Sequence, residues 1–197
     1  MTKCPVCKQP AELRINLKLF CSYDCAAQWG KAQTDKAKAK RQLEQRRADR
    51  VKKESFKRRS EWIASLQTVF NKYIRLRDAG LNCISCDRPE WEIDASTPIN
   101  RTGGLWDAGH YLSRGAYPEL RFEESNCHKQ CKSCNAGSGK FSAKGRTVTQ
   151  RYRVNLIEKI GLEKVEWLEG PQEPLKLTIE QIQQMIADYK LKIKEMA

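Results

Sequence analysis

The chain has 197 residues, of which 31% are charged and 40% hydrophobic; its mean hydropathy is −0.72 and its formal charge +13 at pH 7. It lacks the roughly 18-residue apolar run of a helical membrane span, and its opening segment MTKCPVCKQP has no apolar core of a secretory signal; a cytoplasmic location is expected. A length of this order allows one domain or two small ones, and an excess of positive charge points to a polyanion, nucleic acid first among them.

Nine cysteines need an explanation. In a reducing compartment, paired C-x-x-C spacings read as metal ligands rather than disulfides. Eight of the nine fall into such groups, and Cys127 is left over.

Residues 1–30 read as a small zinc module. Cys4-x-x-Cys7 is followed, after 13 residues, by Cys21 and Cys25. The period-2 pattern of Ala11 to Phe20 predicts a hairpin that brings the two pairs together. Four thiolates around Zn²⁺ make a closed structural site, and the metal folds a segment too short for its own core.

A long basic helix is expected over 31–80. Between residues 31 and 59 there are thirteen Lys or Arg against four Asp or Glu, and neither Pro nor Gly occurs from Lys31 to Ala79. Ala, Lys, Arg, Gln and Glu are good helix formers. Apolar residues are too sparse for burial and keep no heptad, so a solvated arm lying along a phosphate backbone fits better than a coiled coil. From Trp62 to Leu76 apolar residues recur at helical spacing, and this part packs on a core.

Residues 81–145 hold the chemistry. Cys83-x-x-Cys86 needs a partner pair, and Cys131-x-x-Cys134 supplies it. Strands are expected at 105–111 and 126–130, a loop through Pro89, Pro98, Gly103 and Gly104, another over 112–125, and a helix from about Ser133. Gly-Ser-Gly-Lys140 is not a phosphate loop, because Cys134 and Phe141 stand where that pattern needs Gly and Ser or Thr. Over 146–197, amphipathic helices supply support; Thr178-Ile-Glu-Gln181 is a capping box that opens the last of them.

Hydrolysing a phosphodiester requires a base to activate water, a divalent metal to hold the phosphate, and a frame that keeps both in register. A strand bearing His110 facing a short helix bearing Asn135 can do this, with the second Cys₄ zinc as clamp. The string D-A-G-H110 … N126-C-H128-K-Q-C-K-S-C134-N135 resembles the zinc-clamped HNH (ββα-metal) nucleases and is similar in layout to phage endonuclease VII. Together with the N-terminal cysteine pairs, Ser113-Arg-Gly115, Leu120-Arg-Phe122 and Tyr152-Arg-Val154, the whole chain resembles the NinG (Rap) recombination proteins of lambdoid phages.

That resemblance implies an α+β, mostly helical protein with a central HNH-like centre, acting as a metal-dependent endonuclease on branched DNA or Holliday junctions in the bacterial host. It implies His110 as general base, Asn126 as the residue orienting it or its loop, and Asn135 as a ligand of a catalytic Mg²⁺ or Mn²⁺. The family pattern has Asp or His directly before the base; here Gly109 stands there, and Asp107 is the substitute carboxylate. His128 is a further site candidate, as metal ligand, phosphate contact or structural histidine. Arg114 and Arg121 stand where they could reach phosphate. Symmetric resolution of a four-way junction would favour a homodimer. The residues alone leave open a non-catalytic, zinc-stabilised DNA-binding protein. A sequence-specific nuclease is disfavoured, because no base-reading module is visible.

Overall fold

In a computed structural model, residues 2–96, 104–137 and 147–196 are described, and the chain divides into two compact units, Met1–Lys57 and Arg58–Ala197.

The first unit opens with the expected hairpin. Strands β1 (Leu13–Ile15) and β2 (Lys18–Phe20) pair antiparallel, with Leu13 opposite Phe20. Asn16 turns the chain at φ 54°, a left-handed conformation that asparagine tolerates. Phe20 is buried against Cys4 and Ala11, and Trp29 packs on its ring at 5.9 Å between centroids. Helix α1 (Tyr23–Ser55) begins inside the module, not after it: Ser22 caps it by accepting the Cys25 amide at 3.3 Å. Cys25 thus sits in the helix's first turn. From Lys31 to Ser55 every α1 residue is exposed.

The single helix expected over 31–80 is two. It breaks at 56–58, where the charged run gives way to the apolar stripe, and α2 (Arg59–Arg77) restarts with the Glu61 carboxylate accepting the Arg58 amide at 2.8 Å. After α2 come α3 (Glu90–Ser96), β3 (Trp106–His110), β4 (Cys127–Cys131), the short α4 (Lys132–Asn135), α5 (Val148–Ile160), α6 (Leu162–Glu169) and α7 (Ile179–Glu195). Helix α3 occupies part of the stretch expected as loop, because Ile93 is buried against Cys83 and Trp106. The rest of that loop, with Pro98 and Gly103, lies outside the described residues, as does Ser138 to Lys140 of the rejected phosphate loop.

The core of the second unit lies between α2 and α7. Trp62, Leu66, Phe70, Tyr73 and Ile74 form one stripe of α2, against Ile182, Ile186 and Tyr189 of α7. Each fully buried side chain of this kind contributes roughly 1.5–3 kcal/mol. Thr178 and Thr147 close capping boxes at the starts of α7 and α5. The β3–β4 ribbon rests on α2 through Ala108 and Cys127, and the loop between its strands through Phe122, while Tyr152 and Leu156 of α5 pack with Val165 and Leu168 of α6 over Ile84 and Leu120. Among the described residues no helix is long and apolar enough to cross a membrane.

Candidate active site and metal centres

Both cysteine groups close as the spacing implies. The Sγ atoms of Cys4, Cys7, Cys21 and Cys25 lie within 4.8 Å of one another, and so do those of Cys83, Cys86, Cys131 and Cys134. Tetrahedral Zn²⁺ with Zn–S bonds of about 2.3 Å needs sulfurs about 3.8 Å apart; the Cys86–Cys131 separation is 3.9 Å. The Cys131 amide donates to Cys83 Sγ at 3.3 Å and Arg88 Nε to Cys86 Sγ at 3.5 Å. Hydrogen-bond donors of this kind favour thiolates. Each group is therefore a four-thiol set that could hold zinc.

The second set locks the ends of the ribbon. Strands β3 and β4 pair antiparallel, with Asp107 opposite Gln130, Gly109 opposite His128 and His110 opposite Cys127. The chain turns from β4 straight into α4, and the Lys132 amide returns to the Leu105 carbonyl. Asn135, directly after the last cysteine, donates from Nδ2 to Asp107 Oδ2 at 2.9 Å.

Asn126 is fully buried and pins the 111–126 loop. Its Oδ1 accepts the Leu112 amide at 2.9 Å, and its Nδ2 donates to the Leu112 and Leu120 carbonyls at 3.0 and 3.1 Å. That loop carries the carbonyl that fixes His110: Nε2–H donates to Arg121 O at 2.9 Å. Nδ1 faces the weak thiol donor Cys127 Sγ at 3.6 Å. Burial pushes the His110 pKa below its ordinary value, against the carbonyl hydrogen bond and with the nearby charges of Arg114 and Arg121. Burial thus favours the neutral ring, with Nε2 held by the carbonyl and Nδ1 facing Cys127.

A cavity of about 320 Å³ opens at the free edge of β3, lined by Asn71, Arg75, Asp107, His110, Arg114 and Asn135 among others. The structure thus gathers Asp107, His110 and Asn135, with Asn126 behind them. It does not gather His128, which does not line this cavity and is held by other partners. His128 Nε2–H donates to Ser125 O at 3.1 Å, and its Nδ1 accepts from Arg77 at 2.9 Å and lies 3.4 Å from Asp78. Buried Asp78 also takes Arg77, Lys159 and the Lys129 amide. Burial alone would raise the Asp78 pKa, but the His128 and Arg77 contacts hold it well below the usual carboxylate range. Of the three readings of His128, the geometry fits the structural one.

A larger cleft, about 450 Å³, opens beside Asp78, Asn82, Asp87, Asn155 and Lys159. Its central charges neutralise one another, unlike the edge cavity. Arg121 donates to Gln67 and lies over Phe122, so it buttresses the loop, while Arg114 lines the cavity. Sequence reasoning missed Asn71 and Arg75. Their i, i+4 spacing beside the apolar stripe of α2 was the available signal.

The lambda NinG family model matches residues 1–197. Protein ninG of Salmonella phage P22 and that of Escherichia phage lambda are each 38% identical over 147 residues, covering 75% of this chain and 63% of the relative. Protein ninG of Escherichia phage 933W is 37% identical over 147 residues, covering 75% of this chain and 64% of the relative. The matched region is thus under two thirds of those curated relatives. No solved structure matches. With the family model spanning the whole chain, and both cysteine groups closing in three dimensions, the chain belongs to the NinG family.

Proposed function

We propose that this chain is a metal-dependent endonuclease that cuts branched DNA during phage recombination in the bacterial host. The observation that carries the reading is a buried histidine whose Nε2 is held by the Arg121 carbonyl, sharing one cavity with an Asp107–Asn135 pair and with Arg75 and Arg114. Water placed against His110 Nδ1 loses its proton to that nitrogen as its oxygen bonds to phosphorus, and the bond from phosphorus to the leaving oxygen breaks. Asp107 and the Asn135 amide oxygen offer the donors of a hard cation that keeps several waters, as Mg²⁺ or Mn²⁺ does. Bound there, such a cation would neutralise phosphate charge and stabilise the leaving oxygen. Asn126 orients His110 indirectly by holding its loop. Arg114, which lines the cavity without an ion pair among the described residues, suits a phosphate oxygen. Cutting both strands of a junction symmetrically would engage two copies of the chain.

The test is a cleavage assay on labelled four-way-junction DNA beside linear duplex, with Mg²⁺, Mn²⁺ or EDTA, for wild type and His110→Ala. The reading expects metal-dependent nicking of the junction by wild type, and binding without nicking by the variant. Tight binding with no cleavage by either protein would overturn it and leave a zinc-stabilised DNA-binding protein.

A further inference from the structure

Helix α1 spans 33 residues, about 50 Å at 1.5 Å per residue, the length of roughly 15 base pairs of duplex. None of its residues is buried. Its cations from Lys31 to Lys53 form no ion pair among the described residues. At about 100° per residue they point to every side. Lys36, Lys40 and Arg47 fall within roughly 40° of one another, while Lys31, Lys38 and Lys52 fall within roughly 60° on the opposite face. Beyond Lys31 the large apolar residues exposed on α1 are Leu43 and Val51, two side chains eight positions apart among cations, which is too little for an apolar stripe to lay in a protein groove. Like charges four apart, such as Lys36 and Lys40, repel along the helix, and an anion on each side would relieve that repulsion.

A bilayer surface, or one duplex met on its outer face, is a one-sided partner and leaves half of these cations facing water; only a major groove or the gap between two duplexes sets phosphates on both sides of a helix. From this two-sided distribution we infer that α1 seats between two phosphate backbones at once, in the crotch where two duplex arms converge. This rests on the DNA reading above, and it assigns to α1 the recognition of branching. A linear duplex met on its outer face gives no premium to having both, whereas α1 laid in one major groove would make both triple variants lose as much slope on linear duplex as on the junction, an outcome that would overturn the seat between two arms.

The experiment uses the full chain with EDTA, so that binding is read apart from cleavage. Glutamine replaces Lys36, Lys40 and Arg47 in one variant, Lys31, Lys38 and Lys52 in a second, and all six in a third. The salt dependence of affinity is measured on a four-way junction and on linear duplex, with zinc content and circular dichroism confirming the fold. On the junction, each triple variant should lower the log–log salt slope by up to about 2.7, three contacts at about 0.9 each, and the two losses should add. On linear duplex either triple variant should keep most of the wild-type slope. Loss confined to one face on the junction would overturn the two-sided seat. An unchanged slope in all three variants, with wild type still binding, would overturn it while leaving DNA binding intact. Failure of wild type to bind any DNA would remove both readings.

Discussion

His110 and Asn126 share one loop but do different work, and each makes its own prediction. The depressed pKa of His110 keeps the ring neutral through neutral pH, so the acid limb of kcat/KM for cleavage should lie below the ordinary value of 6.5. Removing a neighbouring cation with Arg114→Gln should move that limb upward toward 6.5; a wild-type limb at or above 6.5 would contradict the placement. The same depression has a stability consequence. The unfolded chain binds the proton more readily than the folded one, so stability is lost as pH falls through the window beneath 6.5, and His110→Gln should flatten that dependence in thermal melts. Asn126 is a matter of satisfaction rather than charge. Asn126→Ala leaves the Leu112 amide and carbonyl without this partner and takes one of two donors from the Leu120 carbonyl, which keeps the Glu123 amide, so unfolding by urea should show a loss of about 2–3 kcal/mol. Cleavage should fall with it, because the Arg121 carbonyl that holds His110 belongs to the loop released.

The ribbon explains why the residue before His110 is glycine. A Cβ built on Gly109 would stand 2.0 Å from Gln130 Oε1, and Gln130 is held by a buried 2.6 Å hydrogen bond from its Nε2 to Ser85. An Asp at this position would displace Gln130 as well as bury a charge. Gly109→Ala should therefore cost about 1–3 kcal/mol of overpacking, and Gln130→Ala should rescue part of it in a double-mutant cycle. On the proposed reading the ligand role falls instead to Asp107, which accepts a hydrogen bond from Asn135 across from β3 to α4. Elements set by local chemistry were legible in the sequence: the β1–β2 hairpin by alternation, α7 by its capping box, the two cysteine sets by spacing. What depended on register or on distant packing was not. His128 read as a further site candidate beside His110 until the pairing of His110 with Cys127 and of Gly109 with His128 turned the two to opposite faces. Arg75 looked like one more cation of α2 until the ribbon was laid beside it, and α3 was hidden because Ile93 gains its burial from Cys83 and Trp106.

At the scale of the molecule, charge and burial are divided between the two units. Met1–Lys57 carries fifteen Lys or Arg against six Asp or Glu, a net of +9, and Arg58–Ala197 carries twenty-two against eighteen, a net of +4. The clusters built on α2, the ribbon and α5 lie wholly within the second unit, and so do Cys83, Cys86, Cys131 and Cys134. The first unit has only the small cluster around Phe20 beside its own four cysteines. Stability and phosphate affinity should therefore separate. A fragment from Arg58 to Ala197 should bind one zinc where the full chain binds two, measured by atomic absorption, and should melt cooperatively within a few degrees of the full chain's upper transition. It should keep the His110 acid limb in any residual cleavage, since Asp107, His110, Asn126 and Asn135 all travel with it. Its salt slope on DNA should fall by most of the full-chain value, because counterion release scales with the phosphates neutralised and the exposed cations of α1 are gone. Cys7→Ser in the full chain should halve the zinc content and leave the upper melting transition in place, whereas Cys131→Ser should remove that transition. If the fragment failed to fold, or if it bound DNA with the full chain's salt slope, the division of labour between a charged arm and a zinc-clamped centre would be wrong.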